Sequence, residues 1–248
     1  MHRFYLPPER CTGKAFRLEG REAHHALHVL RLKPGDPVTV LDGAGQVYDC
    51  AVENSGRDVV ALSVRQTDST PPPPCALTLI QAVPKGKLFE DILQKSVELG
   101  VRRVVPILSE RAVAQFDGAA AEKKRDKWQQ VAIEAIKQCG AAWLPRVEAP
   151  APPAVFIARE EKFDLLLVGS LQRERRHPRE VWRAFETAHG RRPQSVGVWI
   201  GPEGDFTPAE LEAIMTAGAQ PISLGPLVLR VETAAIYCLS FLNYELTA

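Results

Sequence analysis

The chain lacks long apolar runs. None of its stretches approaches the roughly 20 consecutive apolar residues that cross a bilayer, and the opening His2-Arg3-Phe4-Tyr5-Leu6-Pro7-Pro8 has no secretory signal's apolar core. Cysteine is sparse. The five present, Cys11, Cys50, Cys75, Cys139 and Cys238, are odd in number and widely spaced, with no Cys-x-x-Cys pair. That argues against a zinc site or a disulfide framework and favours a reducing cytoplasm. Charge of one sign is scarce too: the formal net charge is +1, so composition alone does not announce a nucleic-acid binder. Four familiar signatures are missing: a Gly-x-Gly-x-x-Gly run after a strand, a P-loop, a Gly-x-Ser-x-Gly elbow and a His-Glu-x-x-His pair. Their absence disfavours the common dinucleotide, nucleotide, serine-hydrolase and zinc-protease sites. His24, His25 and His28 cluster, but nothing downstream completes a metal-ligand set; a structural role and no metal are expected.

The composition that remains is globular. Hydrophobic residues make up 45% and charged residues 25% of 248 residues, enough for two domains with real cores. Ser69-Thr70-Pro71-Pro72-Pro73-Pro74 is the clearest linker, because four consecutive prolines favour an extended segment and cannot join a helix or a central strand. Domains are therefore expected at 1–70 and 75–248. In the first, short apolar runs at Pro37–Leu41, Val47–Val52 and Val59–Val64 are separated by the glycine turns Asp42-Gly43-Ala44-Gly45 and Ser55-Gly56-Arg57-Asp58. A small β-barrel with one helical insert, Glu22–Leu30, follows from that pattern.

After the linker the pattern becomes strand–helix alternation. Buried-strand runs fall at Leu77–Val83, Val104–Leu108, Phe163–Val168, Val196–Ile200 and Pro221–Leu224. Phe89, Ile92, Leu93 and Val97 stand at helical spacing with Gly100 where a C-cap glycine belongs. Further helices are predicted over Lys123–Cys139, Pro178–His189, Pro208–Ala217 and Val231–Leu246, with a loop over Pro145–Pro153. This is an α/β fold with a mainly parallel sheet covered on both faces.

Ligands of such sheets bind beyond the carboxyl ends of the strands, and three strand ends carry unusual loops: Gly169-Ser170-Leu171, Gly201-Pro202-Glu203-Gly204-Asp205-Phe206, and Leu224 through Thr233. The second runs into Thr207-Pro208-Ala209-Glu210, a capping box that fixes the next helix start. Its two glycines let backbone approach a ligand closely. In the third, Gly225-Pro226 breaks the strand and apolar Leu227, Val228 and Leu229 stand where a loop is normally polar, suited to an adenine ring or a thioether. A tight turn and packing beneath the next helix are the plainer readings of these two loops. Basic clusters at Lys85/Lys87, Arg102/Arg103, Lys123-Lys124-Arg125 and Arg173/Arg175/Arg176/Arg179 read as solvated faces or as one RNA-facing surface.

The motifs together resemble the bacterial 16S rRNA (uracil-N3) methyltransferases. The resemblance lies in Ile200-Gly201-Pro202-Glu203-Gly204 with Phe206-Thr207-Pro208, in Leu224-Gly225-Pro226-x-x-Leu229-Arg230-x-Glu232-Thr233-Ala234, in Lys95-Ser96-x-Glu98-Leu99-Gly100-Val101, in Gln138-Cys139-Gly140, and near the start in Arg3-Phe4 and His25-x-x-His28-Val29-Leu30-Arg31. It spans essentially the whole chain. Leu227, Val231 and Ala141 depart from the pattern, which has arginine, threonine and arginine there. The resemblance implies a PUA-like β-barrel RNA-binding domain followed by a SPOUT domain with a C-terminal trefoil knot, a homodimer, S-adenosyl-L-methionine as cofactor, and 16S rRNA of the small ribosomal subunit as substrate.

On that reading the cofactor is expected at Val168, Gly169, Ile200, Gly201, Pro202, Glu203, Gly204, Leu224, Gly225 and Leu229. Arg230 is the candidate for charge stabilisation or RNA positioning; Glu203, Asp205 or Glu232 is the candidate base. His25, Arg31 and Arg3 are candidates for RNA contact. A non-catalytic RNA-binding or assembly factor, and a methyltransferase of this fold acting on another RNA, are the alternatives.

Overall fold

The computed structural model describes residues 2–111, 116, 118–172 and 174–247; Arg173 of the basic cluster lies outside the described residues. The chain divides into two compact units, one of residues 1–72 with 133–144, the other of residues 73–132 with 145–248. A linear boundary at the proline run could not show that 133–144 are grouped with the first unit.

The first unit is a five-stranded curled sheet in the order β1-β3-β4-β5-β2. Its strands are β1 (His2–Tyr5), β2 (Ala15–Leu18), β3 (Pro37–Leu41), β4 (Gln46–Ser55) and β5 (Val60–Ser69). The pairing of β1 with β3 is parallel; the others are antiparallel. Register shifts at Asp49/Cys50 and Val52/Asn54 interrupt the long β4–β5 ladder, and such bulges bend a sheet. The bend lets Phe4 of one edge strand and Phe16 and Leu18 of the other share one core with Val38, Val40, Val52 and Leu62. Each large side chain buried in that way contributes about 1.5–3 kcal/mol. The helical insert is α1 (Gly20–His24) followed by a π-helical turn, His25–Val29. The strands β1 and β2 were not foreseen, since four residues hold too few alternations to stand out.

The second unit is a six-stranded parallel sheet in the order β11-β9-β10-β6-β7-β8, as the strand–helix alternation requires. The strands are β6 (Ala76–Ala82), β7 (Arg103–Ile107), β8 (Arg146–Val147), β9 (Leu165–Gly169), β10 (Ser195–Ile200) and β11 (Gln220–Ile222). The helices are α2 (Leu88–Glu98), α3 (Gly118–Cys139), α4 (Pro153–Ile157), α5 (Pro178–His189), α6 (Pro208–Thr216) and α7 (Val231–Thr247). All four apolar positions predicted for α2 are buried, and Gly100 takes the left-handed φ of 81° that ends the helix. The stretch expected as a loop before Pro153 contains the two-residue β8, and the short α4 begins at Pro153 itself.

The amino ends of these strands are closed by charge. Arg103, opening β7, pairs with Glu161 at 2.5 Å and Glu148 at 3.7 Å, and Glu148 also takes Arg159 at 2.6 Å. Beside β9 and β10, Asp164 accepts from Arg191 at 2.7 and 2.9 Å and from the Gln194 amide at 2.7 Å. The guanidinium of Arg191, then the Gln194 amide, hold the Asp164 carboxyl well below the usual carboxylate range.

At the opposite end β11 is held on both sides. β11 pairs with β9 on its inner side and, on its outer side, with Arg176, whose N–H donates to Pro221 O at 3.1 Å and whose carbonyl accepts from Ser223 N at 2.9 Å. The strand β11 therefore lies between β9 and the segment at Arg176. No helix among the described residues is long and apolar enough to cross a membrane.

Candidate functional site

The exits of β9, β10 and β11 surround one cleft of about 490 Å³, within the size range of small-molecule sites. It is built as the carboxyl-end rule predicts. β9 and β10 are adjacent, with Trp199 opposite Val168, so Gly169 and Gly201 leave the sheet side by side. A side chain on Gly169 would stand 3.3 Å from Leu224 Cδ1 and 3.4 Å from Ile200 Cδ1; one on Gly201 would stand 3.2 Å from Asp205 Oδ1 and 3.3 Å from Phe206 Cδ2. Glycine at both places is what allows the loops to close on each other.

The loop after β10 is tightly determined. Thr207 and Glu210 form the predicted capping box, with Thr207 Oγ1 accepting from Glu210 N at 3.2 Å and Glu210 Oε2 accepting from Thr207 N at 2.9 Å. Asp205 is held at a left-handed φ of 59°, unusual for a residue with a side chain. Its Oδ1 accepts from Phe206 N at 2.8 Å and its own N–H donates to Pro202 O at 2.9 Å. In the loop after β11, Gly225 takes φ 107°, and Leu227 and Val228 are left 74% and 77% exposed. Exposed aliphatics beside a cleft are costly in water and mark a surface for a ligand or partner.

Of the residues expected at the cofactor, Gly169, Ile200, Gly201, Pro202 and Glu203 line the cleft, as do Leu224, Gly225 and Leu229. Two do not. Val168 is fully buried in the core beneath, and Gly204 turns away, with its Cβ direction 3.5 Å from Arg111 Cδ. Arg230, Glu232 and Asp205 line the same cleft. Glu203 Oε1 accepts from Lys85 N at 3.1 Å, whereas the Glu232 carboxylate has no hydrogen-bond partner among the described residues. Leu88 escaped the sequence reading, and Arg175 and Ala234 stood there only in a basic cluster and a family motif, not as cleft residues. Leu88 had a usable signal, since Lys85-Gly86-Lys87 is a glycine-bearing loop at the carboxyl end of β6, a fourth strand of the same sheet.

The candidate RNA residues belong to the first unit. Arg31 is exposed at a left-handed φ of 54°. His25 is half-buried, its ring edge-on to Phe4 at 6.0 Å. The Arg3 guanidinium donates to the carbonyls of Lys137 and Gln138 at 3.2 and 3.0 Å, capping the end of α3. Among the described residues no group of three or more His, Cys, Asp or Glu could hold a metal ion.

The donor set suits a zwitterionic nucleoside. Apolar Leu224, Leu227, Val228 and Leu229 offer a slot for a base, glycine backbone offers close polar contacts, and Arg175 and Arg230 line the same cleft as Glu203, Asp205 and Glu232. Opposite charges in one small cleft match a group bearing both an ammonium and a carboxylate. Comparison with known proteins gives the chain its relatives. Residues 71–243 match the family described as RNA methyltransferase domain, and residues 18–64 that described as RNA methyltransferase PUA domain. A relative in Mycobacterium bovis, ribosomal RNA small subunit methyltransferase E, is 33% identical over 95% of this chain and 88% of its own length. A Legionella pneumophila protein solved with bound SAM is 32% identical, with a TM-score of 0.87 over 98% of this chain and 97% of that one. The small subunit methyltransferase E of Neisseria gonorrhoeae, solved with S-adenosyl methionine, is 28% identical, with a TM-score of 0.85 over 99% of this chain and 98% of that one.

Proposed function

The chain belongs to the ribosomal RNA small subunit methyltransferase E family, and from that premise we propose that it methylates N3 of a uridine in 16S rRNA, with S-adenosylmethionine bound in the cleft at the carboxyl edge of the parallel sheet. The observation that carries the reading is the convergence of the three glycine-bearing loops on one cleft holding both arginines and carboxylates. When bound, S-adenosylmethionine supplies an electrophilic methyl group. The chain's own residues do the rest.

Uridine N3 bears an imide proton and is a poor nucleophile until that proton leaves, so a base and a stabiliser of the resulting charge are needed. Arg230, exposed at the cleft rim, is assigned to the charge that spreads onto the uracil oxygens. Among the three carboxylates Glu232 is the best base: Glu203 and Asp205 each have an oxygen committed to a backbone amide, and Glu232 does not. Glu232 stands in the first turn of α7, so both groups arrive from one helix start and are positioned together. Leu224, Gly225 and Leu229 are assigned to the cofactor with Gly169, Ile200, Gly201 and Pro202.

Arg31 and His25 are assigned to RNA contact, and the substrate is the small subunit or its 16S rRNA. Arg3 is better assigned to holding α3. A homodimer fits the exposed Leu227 and Val228 and the exposed Tyr237 and Tyr244 of α7, which a second copy would cover. Ribosomal RNA from a strain lacking the gene, digested and analysed by mass spectrometry, should lack one 3-methyluridine, and the purified protein with S-adenosylmethionine should restore it. An unchanged nucleoside profile would sink the assignment. In vitro, Arg230→Ala should cut turnover while leaving cofactor affinity nearly intact.

A further inference from the structure

The exit loop of β7 reaches the exit loop of β10, although β6 lies between the two strands. Two grips make the connection. The Glu210 carboxylate, already part of the capping box, also accepts from Ser109 Oγ at 3.0 Å and from Glu110 N at 2.9 Å. Farther along, Arg111 Nη1 donates to the Gly204 carbonyl at 2.7 Å. Ser109 is fully buried, whereas Arg111 is exposed.

The second grip has a consequence for the cleft. The carbonyl of Gly204 belongs to the peptide joining Gly204 to Asp205. Turning that peptide plane over changes ψ of Gly204 and φ of Asp205 together and little else. Asp205 is the residue held at a left-handed φ of 59°, a conformation of roughly 1–3 kcal/mol strain that persists only where its surroundings over-determine it. A charge-assisted hydrogen bond on the preceding carbonyl is such a constraint. Asp205 lines the cleft, and its Oδ1 lies against Gly201. The chain of effect runs from Arg111 to the Gly204 carbonyl, to the backbone of Asp205, to the wall of the cleft.

We propose that Arg111 is a positioning residue for the methyl-donor site: by fixing the Gly204–Asp205 peptide it holds Asp205 left-handed and keeps the Gly201–Phe206 loop in its binding shape. The inference rests on the cofactor assignment above. It also gives Gly204 a different part from the one expected, as the acceptor of the clamp rather than a lining of the cleft. The plain rival is that Arg111, exposed and cationic, contacts an RNA phosphate.

The test uses full-length Arg111→Ala and Arg111→Lys. Hydrogen–deuterium exchange needs no ligand: residues 201–207 should exchange faster in Arg111→Ala, with the rest of the chain and Tm unchanged, and Arg111→Lys should recover part of the protection. Calorimetry with S-adenosylmethionine should show about tenfold weaker binding in Arg111→Ala, about 1.4 kcal/mol, and kcat at saturating cofactor within about twofold of the parent. Unaltered exchange across 201–207 would overturn the proposal. So would unaltered cofactor affinity combined with a raised KM for RNA and a shallower salt dependence, the signature of a lost phosphate contact. A parent protein that binds no S-adenosylmethionine would instead remove the cofactor assignment, leaving the exchange result to decide the clamp.

Discussion

The two ends of the parallel sheet are built from the same strands and solve opposite problems. At the amino end two charge clusters are closed: Arg103 with Glu148 and Glu161, Asp164 with Arg191 and the Gln194 amide. At the carboxyl end Leu227 and Val228 stand in solvent, Asp205 is strained, and the Glu232 carboxylate is unpartnered among the described residues. The amino edge carries these closed clusters, and the carboxyl edge leaves groups open around its cleft. Unsatisfied groups are kept where a ligand will complete them, which is the reason for proposing the site at the second edge and a stabilising role for the first.

That contrast can be attacked directly. The largest effect is expected at the open edge. Glu232→Gln should lower methyl transfer by on the order of 10²–10⁴-fold, the usual yield of a general base, with cofactor binding and Tm close to the parent; steady-state rates on small subunits measure it. Gly201→Val should come next. Its side chain would enter space held by Asp205 Oδ1 and Phe206. Calorimetry should show cofactor affinity falling by about tenfold or more while overpacking lowers stability by about 1–3 kcal/mol.

The closed edge should respond the other way. Asp164→Asn is expected to destabilise by about 1–2 kcal/mol and to leave turnover per folded molecule unchanged. Because the folded carboxyl titrates below its unfolded value, its contribution is present above the unfolded pKa of about 3.9 and lost as pH falls through the folded value. The Tm gap between parent and variant should therefore be full at pH 7 and shrink under acid, as thermal melts across pH 2–7 would reveal. An activity loss without a Tm loss in this variant would break the division between the edges. The smallest effect belongs to Gly204→Ala, whose Cβ would meet only Arg111, at ordinary contact distance. Cofactor affinity should stay within about twofold, a change under roughly 0.5 kcal/mol.

Much of this was legible before the structure. Long β-branched runs announced β3–β7 and β10, and glycine, proline and capping signals placed the loops at strand ends. Because a parallel sheet puts all its carboxyl ends on one side, three separate loops could be assigned to one site from order alone. What stayed hidden was short or non-local. Four-residue β1 and two-residue β8 carry no periodicity, and the five-residue α4 was expected as loop up to its first residue. The bond from Arg111 to Gly204 joins positions 93 apart in sequence, and nothing in either neighbourhood hints at the other. Arg3 is a candidate RNA contact through the resemblance of Arg3-Phe4 to the family's RNA-binding domain; its bonds to the Lys137 and Gln138 carbonyls, 134 and 135 residues away, have no signal in the sequence.

The place of β11 has a consequence for order of assembly. The strand is three residues long and is bonded to β9 on one side and to Arg176 on the other. Both neighbours come earlier in the chain, so this edge of the sheet stays open until the segment from Gln220 onward has been made. A strand so short is held by its neighbours more than by any preference of its own. The carboxyl edge is in that sense a seam sewn last, with the 17-residue α7 following directly behind the thread.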